Sequence, residues 1–182
     1  MVHPKRPIAS VFGSSKESSE NDPEYLEARS LGRRLAEAGY AVATGGYHGT
    51  MEAISRGARE SGGHVIGVTT AVFDHVRPGP NPFVLEEIKF PTLFQRLHHL
   101  VTFADAWVAL PGGIGTLSEV ALTWSLLQVG ELGRKPFVVV GPMWRDLLQG
   151  FTRNGYVPSR YADLIRYADT VAEVVTLLKD RA

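Results

Sequence analysis

The chain has 182 residues, 44% of them hydrophobic and 9% aromatic, which is enough apolar material for the core of one domain. Its 19 basic and 19 acidic residues give a formal net charge of zero, so no global field attracts DNA, RNA or an anionic membrane. The absence of cysteine excludes disulfides, thiolate zinc sites and cysteine nucleophiles. This composition favours a small-molecule partner over nucleic acid or a membrane.

The N-terminal residues 1–7 are basic, but the apolar stretch after them ends at Gly13 and is too short for the core of a signal peptide. No apolar run approaches the length that crosses a membrane. We therefore expect a cytoplasmic protein.

Short apolar runs alternate along the chain with longer segments of helical periodicity. They predict strands at residues 8–12, 40–43, 64–69, 107–110 and 137–140, and helices at residues 23–38, 48–61, 92–103, 116–129, 144–152 and 171–180. This alternation is typical of the α/β class, with a doubly wound, mostly parallel Rossmann-like sheet that carries helices on both faces. We expect residues 1–182 to form a single Rossmann-like nucleotide-binding domain.

Residues 71–91 are the least regular part of the chain, because Pro78, Pro80, Pro82 and Pro91 interrupt them. A possible strand lies at residues 84–90. The segment fits either a lid or edge of a binding site, or an ordered surface loop with one edge strand. The pattern favours the second interpretation.

A glycine-rich loop follows the fourth predicted strand and leads into a helix; it comprises Pro111, Gly112, Gly113, Ile114, Gly115 and Thr116. Its glycines let the backbone approach a ligand, and the free N–H groups of the first helical turn favour an anion such as phosphate. Glu119 lies about one turn further along the helix, so its carboxylate would stand near a bound phosphate without sharing its position.

Two further loops follow the first and second predicted strands; they contain Gly13, Ser14 and Ser15, and Gly45, Gly46, Gly49 and Thr50. The carboxyl ends of parallel strands meet at one edge of a sheet, where ligands bind. One glycine loop alone is as consistent with a structural turn, but two on the same edge favour a phosphate or nucleotide. The P-loop tripeptide Gly-Lys-Ser/Thr is absent and the dinucleotide pattern lacks its third glycine, so nicotinamide and flavin cofactors are disfavoured.

Arg96 lies on the predicted helix before the fourth strand, among apolar residues that include Leu93 and Leu97. We expect it to point into a cleft. His98 and His99 diverge by about 100° on a helix and cannot chelate one metal ion, so we predict no metal site. The acids Glu86 and Glu87 fit an edge strand better than a catalytic pair.

Pro111 to Thr116 with Glu119 resembles the signature of the Lonely Guy family, the cytokinin riboside 5′-monophosphate phosphoribohydrolases that are often mislabelled lysine decarboxylases. The likeness extends to residues 10–15, to the second glycine loop and to Arg96, which stands at the family's spacing. The chain departs from the family where lysine usually follows the arginine, since Leu97 stands there. It also has Ser118 where a second acid is common and Thr44 in place of the first of three glycines.

The resemblance implies hydrolysis of the N-glycosidic bond of a nucleoside 5′-monophosphate, with Glu119 and Arg96 as catalytic residues, the glycine loops as phosphate sites and no cofactor. It also implies a homodimer or higher homo-oligomer. Pyridoxal chemistry needs a Schiff-base lysine, and no lysine lies in the two glycine loops. The alternative is a protein that binds or carries a nucleotide or molybdenum cofactor without hydrolysing it.

Overall fold

The computed structural model of the protein describes residues 6–77 and 79–180; residues 1–5 of the basic N-terminal segment and Pro78 lie outside this part. The described part contains one parallel sheet with the strand order β4-β3-β2-β1-β5-β6-β7. The strands are β1 (Ile8–Phe12), β2 (Ala41–Thr44), β3 (Val65–Thr70), β4 (Glu86–Phe90), β5 (Ala106–Ala109), β6 (Phe137–Val140) and β7 (Arg166–Ala168).

Helices form most of the connections between strands, because parallel neighbours need a crossover that returns the chain to the same edge of the sheet. They are α1 (Pro23–Glu37), α2 (Thr50–Glu60), α3 (Leu93–Thr102), α4 (Ile114–Gln128), α5 (Pro142–Thr152), α6 (Ser159–Ala162) and α7 (Val174–Lys179). A 3-10 turn at Ala71–Phe73 follows β3. None of the helices in residues 6–77 and 79–180 has the length and apolarity needed to span a bilayer.

Two hydrophobic cores lie on opposite faces of the sheet. Helices α1, α2 and α7 pack on one face, and α3, α4 and α5 pack on the other. Successive residues of a strand point to opposite faces, so Ala9 and Val11 of β1 join the first core and Phe12 joins the second. Ser10 also points to the second face, where its buried hydroxyl donates to the Leu100 carbonyl at 2.7 Å.

The predicted α/β fold with helices on both faces is confirmed, and the ends of the predicted elements differ from those in the structure by at most three residues. β7 and α6 were missed. β7 has only three residues, Arg166–Ala168, two of them half-buried, and α6 has four, so neither forms a recognisable apolar run. β4 lies at the edge of the sheet, as predicted by the edge-strand interpretation of residues 71–91. Trp124 and Leu127 of α4 are buried in the second core.

Candidate functional site

The order of the strands indicates where the candidate site lies. From β1 the chain continues outward through β2, β3 and β4, and from β5 it continues in the opposite direction through β6 and β7. The loops after β1 and β5 therefore diverge at the carboxyl edge, and in open α/β sheets the crevice between two such loops is where ligands bind. These are the loops of Gly13 and of Pro111.

The α4 N-terminus lies at this crevice. Gly113 is its N-cap residue and provides no side chain that could satisfy the first-turn N–H groups. Gly113, Ile114 and Gly115 are exposed. Thr116 is buried, and its hydroxyl donates to the Gly13 carbonyl at 3.0 Å. The donors that this loop leaves free for a ligand are therefore backbone N–H groups, because the Thr116 hydroxyl is already hydrogen-bonded to the β1 loop.

The glycine loop after β2 packs against its neighbours in the structure. Both the amide and the hydroxyl of Thr50 donate to the Ser14 carbonyl, at 3.1 and 3.0 Å. Gly49 adopts a φ of +72°, and a Cβ there would lie 2.6 Å from the same carbonyl oxygen. A Cβ at Gly45 would overlap the Arg96 Nη2 atom. The loop thus makes room for Arg96 and holds the β1 loop, and the two Thr50 donors are already used.

Arg96 and Glu119 meet below the crevice. Arg96 comes from α3 and Glu119 from α4, and the distance from Nη1 to Oε1 is 3.7 Å. Each side chain is only 9% exposed. Arg96 Nε donates to the Val68 carbonyl at 2.8 Å and Nη2 donates to the Gly45 carbonyl at 3.3 Å. The guanidinium is therefore fixed by two carbonyls at the ends of β2 and β3, with Glu119 beside it.

Burial raises the pKa of Glu119 to about 7, and the positive charge of Arg96 acts in the opposite direction. Removing a carboxylate from water penalises its charged form more than this one guanidinium offsets. A carboxyl group with such a pKa exchanges protons readily near neutral pH, which is what general acid–base catalysis requires.

Two residues outside the predicted site hold this arrangement together. Tyr47 is buried, and its hydroxyl accepts from the Thr70 amide at 2.9 Å and donates to the Thr70 carbonyl at 3.2 Å. Asn81, also buried, donates from Nδ2 to the carbonyls of Gly46 at 3.1 Å and Tyr47 at 3.0 Å. Tyr47 could have been suspected from its place inside the second glycine loop. Asn81 carried no sequence signal beyond a polar residue between two prolines.

The remaining predicted residues lie at the rim. Ser14 Oγ accepts from the Lys16 amide at 3.0 Å, and Ser15 Oγ accepts from Arg77 at 3.1 Å. His98 is exposed and His99 is half-buried between the rings of Phe90 and Phe103. Within residues 6–77 and 79–180, no group of three or more His, Asp or Glu side chains could hold a metal ion.

Comparisons with known proteins find a matching family and several relatives. A model of the family described as "Possible lysine decarboxylase" matches residues 51–178. The cytokinin riboside 5′-monophosphate phosphoribohydrolase of Mycobacterium tuberculosis is 31% identical over 168 residues, which is 87% of either protein. The pyrimidine/purine nucleotide 5′-monophosphate nucleosidase of Escherichia coli is 32% identical over 68% of this chain, but the match spans only 29% of that longer protein.

A solved structure, that of the molybdenum cofactor binding protein from Rippkaea orientalis, superposes with a TM-score of 0.76 at 26% identity. The superposition covers 97% of this chain and 98% of that one. Proteins of this fold therefore include both a hydrolase and a cofactor-binding protein by name.

The decarboxylase description implies pyridoxal phosphate, and the lysines of the described part do not fit that cofactor. A Schiff-base lysine is activated by desolvation or a neighbouring cation. Lys16 and Lys179 are exposed, Lys89 pairs with Asp74 at 2.7 Å, and Lys135 pairs with Asp105 at 3.5 Å. The hydrogen bond to Asp74 raises the pKa of Lys89, which is the opposite of activation.

The family match covers most of the chain, and the mycobacterial relative aligns along nearly all of it, in keeping with the glycine loop and Glu119. The chain belongs to the family described as possible lysine decarboxylases, which is the Lonely Guy family.

Proposed function

We propose that the protein hydrolyses the N-glycosidic bond of a nucleoside 5′-monophosphate and releases a free base and ribose 5-phosphate. The observation that carries this proposal is the buried Arg96–Glu119 pair beside the free N–H groups of α4. A phosphate-binding protein needs the N–H groups but has no need of a buried carboxylate with a pKa of about 7. The names of the mycobacterial and Escherichia coli relatives support the same reaction class.

In this mechanism the 5′-phosphate binds the first-turn N–H groups of α4, with Ser14 at the rim, and fixes the ribose over Glu119. The glycosidic bond breaks with its electron pair going to the base nitrogen, which leaves an oxocarbenium-like sugar. The Glu119 carboxylate stabilises that positive charge and takes a proton from the attacking water. The new C–O bond forms at the same carbon, and the proton passes to the departing base.

Arg96 has two roles in this proposal. Its positive charge favours the ionised form of Glu119 against the effect of burial. It also balances the negative charge of carboxylate and phosphate when the substrate is bound. The substrates we propose are AMP-like nucleotides, including cytokinin riboside monophosphates, because the named relatives act on nucleotides of these kinds.

A carrier function is the second candidate, because the Rippkaea orientalis protein that superposes on this chain binds the molybdenum cofactor. A carrier would use the same loops and leave its ligand intact. After long incubation, a hydrolase would have cleaved a bound nucleotide, whereas a carrier would still hold its ligand intact.

We also propose that the protein is a homodimer. Large apolar side chains are exposed on the face formed by α3, α4 and α5; they are Leu93, Phe94, Ile114, Met143, Leu147 and Phe151. We call this set the α3–α5 patch. An apolar surface of this kind usually marks an interaction site, and a second copy of the chain would cover it.

The test is base release from a panel of nucleoside 5′-monophosphates and the corresponding nucleosides, measured by liquid chromatography. We expect release from at least one nucleotide, and a loss of at least about 100-fold in kcat in Glu119→Gln. Glu131→Gln is the matched control, because Glu131 is exposed beyond the end of α4. Unchanged turnover in Glu119→Gln would reject the role of that residue, and a nucleotide or pterin that the wild type retains intact would favour the carrier.

A further inference from the structure

Arg77 lies outside the Arg96–Glu119 pair, yet it faces the same edge of the sheet. Its Nη2 donates to Ser15 Oγ in the β1 loop at 3.1 Å. Its Cζ lies 5.1 Å from the centroid of the Tyr47 ring and 5.2 Å from that of Phe73. The Cζ of Arg96 lies 5.8 Å from the same Tyr47 ring. One buried tyrosine therefore contacts both the catalytic arginine and a second arginine near the rim.

The position of Arg77 is determined by packing. Its amide donates to the Phe73 carbonyl at 2.7 Å, which closes the turn after β3. The Phe73 ring meets Tyr47 edge to face, with centroids 5.7 Å apart. Beyond the turn, Asn81 attaches the segment to the second glycine loop through the Gly46 and Tyr47 carbonyls. This arginine is held against the site from both sides and is half-buried.

The charge of Arg77 lacks a counterion among the residues that the structure describes, since no carboxylate oxygen there lies within 4.0 Å of its nitrogens. By contrast, Arg29, Arg56 and Arg145 each pair with an acid. A guanidinium has five N–H donors, and the Ser15 hydroxyl accepts from only one nitrogen. Donors therefore remain for an anion that approaches the β1 loop.

The β1 loop connects Arg77 to the proposed phosphate site. Ser15 accepts from Arg77 at one end of this loop, and Gly13 accepts from Thr116 of α4 at the other. We propose that Arg77 binds the 5′-phosphate from across the β1 loop, opposite the α4 N–H groups, and so selects nucleoside monophosphates over nucleosides. This inference rests on the proposed function and adds a specificity-determining residue from the turn that follows β3.

The test uses Arg77→Met, which removes the charge and keeps an unbranched stem. We measure kcat and KM for AMP and for adenosine, and the Kd of ribose 5-phosphate by calorimetry. Loss of charged hydrogen bonds to phosphate should raise KM for AMP and Kd for ribose 5-phosphate by about 10- to 100-fold. The activity on adenosine should not fall in parallel, because adenosine has no phosphate for Arg77 to bind.

Arg59→Met is the control. Arg59 is an exposed arginine at the end of α2, at the opposite edge of the sheet, and its loss should change neither constant. Arg77→Lys should show an intermediate Kd, since lysine keeps the charge without the planar pair of donors. Arg77→Gln carries the same test if Arg77→Met does not fold.

An unchanged Kd for ribose 5-phosphate in Arg77→Met would overturn the inference. So would an equal loss on AMP and adenosine, which would indicate that Arg77 only supports the packing of Tyr47. The calorimetric measurement needs no turnover. If the wild type released no base, the proposed function would fail while the role of Arg77 in binding phosphate would still be decided.

Discussion

Among single residues, Glu119 is the one whose protonation the proposed reaction depends on. Its carboxyl group loses hydration on burial and gains one guanidinium at 3.7 Å, and the first effect is the larger. Buried carboxyl groups with a raised pKa are concentrated at active sites. A structural ion pair, by contrast, favours the charged form and lowers the pKa of its carboxyl group. The pH dependence of the reaction rate should therefore follow the titration of Glu119.

We predict an acid limb in the pH profile of kcat/KM with an inflection at about 7. The active form carries ionised Glu119, so the rate should fall by about tenfold per pH unit below that value. In Arg96→Met the opposing positive charge is lost, the pKa of Glu119 rises further, and the inflection should move to higher pH.

The substrate phosphate titrates near pH ~6 and should not move with this substitution, which separates the two groups. A profile that falls as pH rises through 7 would instead make Glu119 a general acid. Identical inflections in wild type and Arg96→Met would contradict the electrostatic coupling between the two side chains.

At the scale of elements, the second glycine loop positions Arg96. Gly45 accepts from Arg96 through its carbonyl and leaves the space that the guanidinium occupies. A single methyl group at this position tests the arrangement without removing any polar atom.

We predict that Gly45→Ala lowers kcat by about 10- to 100-fold, because small displacements of a catalytic group have effects of that size. The new Cβ would overlap Arg96 Nη2 and lie 2.7 Å from Met51 Sδ, so the guanidinium must leave its present position beside Glu119. Steady-state kinetics and a thermal melt would check this. Gly150→Ala in α5 is the control, since a Cβ there meets no atom within 4 Å. Unchanged kinetics in Gly45→Ala would show that Arg96 tolerates displacement.

At the scale of the whole molecule, the two faces of the sheet differ. The face of α3, α4 and α5 exposes the α3–α5 patch, and both Arg96 and Glu119 come from helices on that face. Helix α4 is apolar along most of its sequence, from Leu117 to Leu127. A helix that packs only one side against the core needs apolar residues on that side alone. A second copy on this face would cover apolar surface close to the site.

We predict a mass of twice the 19.9 kDa chain in light scattering after size exclusion. Phe94→Glu should shift the population to monomer, because Phe94 is 73% exposed within the patch and a carboxylate there would be desolvated on association. Leu26→Glu on the opposite face, where Leu26 is 47% exposed, should leave the mass unchanged. A wild-type monomer at micromolar concentration would contradict the proposal.

Many features of the fold could be predicted from local sequence patterns. Strand and helix periodicities predicted the α/β layers, because the side-chain spacing of each element is set by its own backbone geometry. The succession of strand, glycine loop and helix predicted the α4 N-terminus with Gly113 at its start. The three-residue strand β7 was missed, since Arg166 and Tyr167 are half-buried and show no apolar run.

Local patterns along the chain were enough to predict the fold class, the glycine loop after β5 and the place of Glu119 one turn into α4. The contact of Arg96 with Glu119, the hydrogen bond from the Thr116 hydroxyl to Gly13 and the support of the second glycine loop by Asn81 could be seen only in three dimensions. The physical reason is range: periodicity and turn chemistry act between neighbours in sequence. Ion pairs and hydrogen bonds between distant elements depend on how the helices pack across the sheet.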